Sequence, residues 1–211
     1  MKRFLVAVGL ALVLASGASG AKPKPYTPSA ADKAAARALS AAADGFLTQL
    51  DGAQAQAVTQ VRDDLAACSA AYATKVDTRR MTELQAFLAD ARAVPAIPAL
   101  WRSMVARWDA VHPRDRYLRL LVATAHSQER QVMKLGAGAA QLGICDTLAA
   151  WEASGWSNSY VGDLEDAWNA SIAVDPAVFD GARNRVAGLT PQLRKLGLSD
   201  EQILNLIIAV L

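Results

Sequence analysis

Ala57-Val58-Thr59-Gln60-Val61-Arg62-Asp63-Asp64-Leu65-Ala66-Ala67-Cys68-Ser69-Ala70-Ala71-Tyr72 is the stretch from which the fold class is read. Val58, Val61, Leu65, Cys68 and Tyr72 fall at steps of three, four, three and four. On a helix of about 3.6 residues per turn that spacing is one apolar stripe. It predicts an amphipathic helix with Cys68 turned toward a core. Upstream, Ser29 is placed to cap a helix from Ala30 that carries Leu39, Phe46, Leu47 and Leu50 and is expected to stop near Asp51-Gly52.

The same rhythm continues downstream. From Thr78, Met81, Leu84, Leu88 and Ala91 predict a helix that ends at Val94-Pro95, because the residue before proline is pushed out of helical geometry. Leu100, Trp101, Met104, Val105, Trp108 and Val111 predict a helix from Pro98 that His112-Pro113 closes. Pro113 suits the first turn of the next helix, expected to run through Tyr117, Leu120, Leu121, Thr124, Gln128, Val132 and Leu135 before Gly136 and Gly138 loosen or break it. Leu142, Cys145, Leu148 and Trp151 give another apolar face, with Cys145 inward and Gly155 as the stop. Tyr160, Val161, Leu164 and Trp168 mark a short helix after the Trp156-Ser157-Asn158-Ser159 turn. Asp175-Pro176 and Thr190-Pro191 each read as an N-cap followed by proline in the first turn. Ser199-Asp200-Glu201-Gln202 reads as a capping box ahead of an apolar terminal helix that should dock on the body.

Ala and Leu dominate, Arg and Gln are common, and no apolar/polar alternation is bounded by hairpin turns. The expected fold is therefore all-α, a compact bundle of about seven to nine helices whose short connections favour antiparallel neighbours. The segments share no fixed period, which argues against a solenoid. Residues 29–211 are expected to form a single helical domain.

Ahead of that domain, Lys2 and Arg3 precede an apolar run from Phe4 to Leu14 and a small-residue run from Ala15 to Ala21. This is the pattern of a cleaved secretory signal peptide over residues 1–21. Residues 22–28 hold three prolines, which favour an extended leader. Of 22 Lys+Arg, cleavage would remove Lys2 and Arg3 and none of the 20 Asp+Glu, leaving 20 against 20. A formally neutral mature chain gives no electrostatic reason to bind nucleic acid. No transmembrane segment is expected in it.

The chain holds two cysteines, and an exported chain with an even count is expected to pair them as Cys68–Cys145. Its two histidines are His112, which suits a structural role at a helix end, and His126, mid-helix, with Glu129 three residues on and on a shared face. No zinc, haem-attachment, phosphate-loop or nucleophile-elbow motif occurs in residues 22–211, and no cofactor or metal is expected. Adjacent acids such as Asp63-Asp64 and Glu165-Asp166 read as solvated faces. Trp151, Trp156, Tyr160 and Trp168 cluster around one turn, either filling gaps between Ala-rich helices or rimming a ligand pocket.

Together these features point to a non-catalytic binding or structural module of the cell envelope or extracellular space, soluble after signal cleavage. Its partner would be an envelope or extracellular protein or polymer. One alternative is a carrier that holds a small apolar ligand such as haem near the tryptophans or His126. Another is an envelope enzyme that uses His126 and Glu129 as an acid–base pair.

Overall fold

The computed structural model describes residues 25–69, 78–138, 142–172 and 174–210, and every regular element among them is helical. In chain order these are α1 (Ala30–Ser69), α2 (Thr78–Ala93), a 3-10 turn (Val94–Ala96), α3 (Ile97–Val111), α4 (Arg116–His126), α5 (Glu129–Gly138), α6 (Ile144–Ala153), α7 (Tyr160–Ile172), α8 (Pro176–Ala187), α9 (Thr190–Lys195) and α10 (Asp200–Ala209). The compact all-α bundle expected from the sequence is what forms. Residues 1–21, for which the sequence predicts a signal peptide, and Tyr72 lie outside the described residues.

The spine is α1, 40 residues long, or about 60 Å at 1.5 Å per residue. The stop expected at Asp51-Gly52 does not occur. Ala36, Leu39, Ala43, Phe46, Leu50, Ala57, Val61 and Leu65 are all buried, and their spacing keeps one stripe on one side of the helix throughout. That continuous contact outweighs the roughly 1 kcal/mol cost of a mid-helix glycine. Beyond Gly52 the stripe runs through Ala57, whereas Val58 is 50% exposed. At the N-terminus, Ser29 Oγ accepts from Asp32 N at 3.1 Å and Asp32 Oδ2 accepts from Ser29 N at 2.9 Å, a reciprocal cap.

Two hydrophobic cores are strung along this spine. The first gathers Leu39 and Phe46 of α1 with residues of α3, α4, α5, α8, α9 and α10, including Trp101, Trp108, Leu121 and Leu206. The second gathers Val61 and Leu65 of α1 with Leu84 and Leu88 of α2, Leu148 and Trp151 of α6, and Trp168 and Ile172 of α7. Val94, Leu135 and Val174 pack against both. As expected for residues seven apart, Trp101 and Trp108 share the buried face of α3, and the Trp108 indole donates to Leu39 O at 2.9 Å.

Helix ends follow local chemistry. The Asp175 carboxylate caps α8, accepting from Ala177 N at 3.0 Å, and Ser199 and Gln202 form the expected capping box of α10. At α9 the N-cap is Leu189 rather than Thr190, with Pro191 still inside the first turn. Gly197 adopts φ 87°, and Gly197 N bonds Arg194 O while Leu198 N bonds Leu193 O. This left-handed stop closes α9 with the buried Leu193 and Leu198 positioned by it. Val210 and Leu206 are fully buried, so the apolar terminus is docked. In the leader, Tyr26 is not free. Its ring meets that of Tyr117 edge-on at 4.9 Å, and its hydroxyl donates to Asp115 Oδ2 at 2.8 Å.

Candidate functional site

The single helix expected from Pro113 to Leu135 is two. Asp115, not Pro113, starts α4, its Oδ1 accepting from Tyr117 N at 2.8 Å and Leu118 N at 3.1 Å. The break at Ser127-Gln128 is made by side chains that compete with the helical ladder. Ser127 Oγ donates to Thr124 O at 2.6 Å, and the Gln128 amide donates to Ser127 Oγ at 2.8 Å. His126 is therefore the last residue of α4 and Glu129 the first of α5, not two positions on one helical face. The carboxylate that bonds the imidazole is Asp109 of α3, with Nε2 to Oδ1 at 2.8 Å. The neighbouring Ser127 hydroxyl is already committed as donor and acceptor, so the imidazole has no nucleophile to activate there.

Two open depressions meet at His126. One, of about 550 Å³, is lined by His126, Ser127, Glu129, Arg130, Gln131 and Val178. The other, of about 440 Å³, lies between the end of α3 and α4 and includes Asp109, His112, Arg119 and His126. Both histidines of the chain thus face one concavity. His112 also terminates α3 in the left-handed region, at φ 47°.

The aromatic candidates lie elsewhere, over the second core. Trp151 is 1% exposed. Tyr160 stacks on it with centroids 5.8 Å apart and planes at 10°, and Trp156 meets it edge-on at 5.5 Å. The Trp151 indole donates to Ser157 O at 2.9 Å, and the Tyr160 hydroxyl donates to Thr147 O at 3.2 Å. Burial raises the Tyr160 hydroxyl above its ordinary pKa.

The local cause of this cluster is a helix stop. Gly155, at φ 69°, bonds Glu152 O through its amide, and Trp156 N bonds Trp151 O at 3.0 Å. In such a stop the residue after the glycine characteristically packs on the residue five positions back, which here brings Trp156 against Trp151. Trp168 does not join them; its ring meets Phe87 of α2 edge-on at 5.8 Å.

Cys68 and Cys145 lie at bonding distance, with Cα atoms 5.6 Å apart, and tie the end of α1 to the first turn of α6. Contrary to expectation, Cys145 is exposed. Steps of three through Leu142, Cys145 and Leu148 slip backward around the helix, and the buried face runs through Ile144, Leu148 and Trp151 instead. Leu142 precedes the helix altogether. Among the described residues, no group of three or more His, Cys, Asp or Glu is placed to hold a metal ion. Nor is any described helix long and apolar enough to cross a membrane.

One feature escapes a whole-chain charge count. Residues 97–138 carry seven Lys/Arg against three Asp/Glu, whereas residues 142–172 carry five Asp/Glu and no Lys/Arg. Overall neutrality thus averages a basic segment over α3–α5 and an acidic segment over α6–α7. Counting charge segment by segment would have revealed it. No protein-family model, curated protein or solved structure matches this chain.

Proposed function

We propose that this is an exported, non-catalytic module that binds an envelope or extracellular partner through its surface. The observation that carries the reading is where the candidate groups lie. The rings best suited to a buried apolar ligand fill one another's space around Trp151. His126, best suited to catalysis, is held by Asp109 at an open surface and separated from Glu129 by a helix break. What remains distinctive is the surface itself, with concavities at the α3–α4–α5 junction and segregated charge. A bridged cysteine pair at the solvent-exposed Cys145 suits an oxidising compartment.

Native mass spectrometry of the protein taken from an exported fraction tests this reading, with the denatured mass alongside. A denatured mass lacking residues 1–20 or 1–21 is expected, together with native species of macromolecular added mass. A stoichiometric small-molecule adduct of haem size would overturn the module reading and establish the carrier.

A further inference from the structure

His112 stands where glycine is the usual residue. It ends α3 at φ 47°, in the left-handed region that a residue without a side chain enters at no steric cost. The stop itself is made by its backbone, whose N–H donates to Asp109 O at 3.2 Å. Its imidazole is exposed and forms no hydrogen bond or ion pair with a described residue. A side chain held in a disfavoured conformation, with no polar contact to offset the strain, points to a use other than stability.

The concavity of about 440 Å³ that His112 lines also holds Arg119 of α4, together with the apolar Pro113, Val122 and Ala123. Arg119 is exposed and pairs with no carboxylate among the described residues. Asp109, the acid of this lining, has its Oδ1 bonded to His126 Nε2 at 2.8 Å. A carboxylate only accepts, so Nε2 carries the proton, and His126 occupies the group that would compete for Arg119. What remains is an unengaged guanidinium and an unengaged imidazole beside apolar side chains. The guanidinium fork matches a carboxylate bidentately. A phosphate monoester, at about −1.5 to −2, would meet Asp109 and the carbonyl end of α3 with one guanidinium in its favour, whereas a carboxylate carries a single charge that Arg119 balances.

We propose that the His112–Arg119 concavity binds a carboxylate that carries a short apolar body. Arg119 is its charged partner, His112 a second donor, and His126 the positioning residue that holds Asp109. The proposal rests on the interaction-module reading and deepens it by naming the group that is recognised, the carboxylate of a chain end or of a small organic acid. Asp109 and the α3 carbonyls oppose an anion, so the affinity is low, with a Kd of about 1–10 mM for an isolated carboxylate.

Proton NMR of the disulfide-intact protein tests it, because two histidines give two imidazole C–H signals that the His112→Gly spectrum assigns. Acetyl-alanyl-alanine, butyrate and inorganic phosphate each replace chloride at fixed pH and ionic strength. A saturable shift of the His112 signal is expected with a carboxylate; saturation by the dipeptide indicates a chain end, and by butyrate alone a small acid. Arg119→Gln should weaken binding at least about tenfold with helical circular dichroism unchanged. His112→Gly, followed through the His126 signal, should lose saturation while its melting temperature stays or rises, because glycine suits the left-handed turn. No saturation with either carboxylate, phosphate binding as tightly as they do, undiminished binding in Arg119→Gln, or a lower melting temperature in His112→Gly would each overturn the proposal. If the histidine signals stay still while native spectra show a macromolecular partner, the module reading stands and only this site falls.

Discussion

Replacing Trp151 by alanine is the sharpest test of whether the aromatic cluster is packing or pocket. The ring is 1% exposed, stacked by Tyr160, met edge-on by Trp156 and bonded through its indole N–H to Ser157 O. The hydrogen bond contributes about 1 kcal/mol and each ring contact about 0.5–1.5 kcal/mol beyond area burial. Buried Trp→Ala changes cost about 3–5 kcal/mol in all, and Trp151→Ala should fall in that range. Trp151→Phe keeps a ring between the two neighbours but loses the donor, so it should cost about 1–2 kcal/mol, since the turn carbonyl it frees can find water. Urea titration followed by far-UV circular dichroism measures both, provided the slope stays constant between variants. A Trp151→Ala loss below about 1 kcal/mol would refute the packing account, because a ring lining an open pocket has little contact to lose.

Three further outcomes follow from other parts of the molecule. Gly52→Ala should stabilise by about 0.5–1 kcal/mol and raise Tm by about 2–3 °C in calorimetry, because Gly52 sits inside α1 with open space where the new Cβ would go; an unchanged or lower Tm would count against a continuous α1. Replacing Cys68 and Cys145 together by serine should lower the urea-derived stability by up to about 4.5 kcal/mol for a loop of 77 residues. A loss under about 1 kcal/mol would mean the bridge does not constrain the unfolded chain. Tyr26 has its hydroxyl pKa raised by burial and by the Asp115 carboxylate. Its contribution is therefore fully present below the ordinary tyrosine value near 10 and is lost as pH rises through the higher folded value. Urea midpoints taken from about pH 9 upward should fall more steeply in the natural protein than in Tyr26→Phe, and parallel curves would show that Tyr26 is not docked.

Helix positions were largely legible because their signals are local. The apolar periodicity of α2 and α3, the Asp175 and Ser199 caps and the Gly155 stop act within a few residues of themselves, and each formed where the sequence placed it. The candidate site was less legible. His126 and Glu129 are three apart on paper, but the Ser127 and Gln128 side chains end the helix between them and Asp109, 17 residues away, takes the imidazole. The aromatic cluster could be listed but not understood, because its members are brought together by a left-handed stop whose backbone geometry no spacing reveals.

By itself, then, the sequence determined the all-helical class, most helix starts and stops, the two cysteines available for pairing and the charge carried by each segment. These depend on short-range backbone chemistry and on counting. Only the tertiary structure decided that α1 continues past Gly52, because partner helices along its whole length outweigh one residue's helix propensity. It also decided that the core divides in two and that Cys145 faces solvent. Each of these depends on which faces meet across long sequence separations, where burial free energy outweighs local preference.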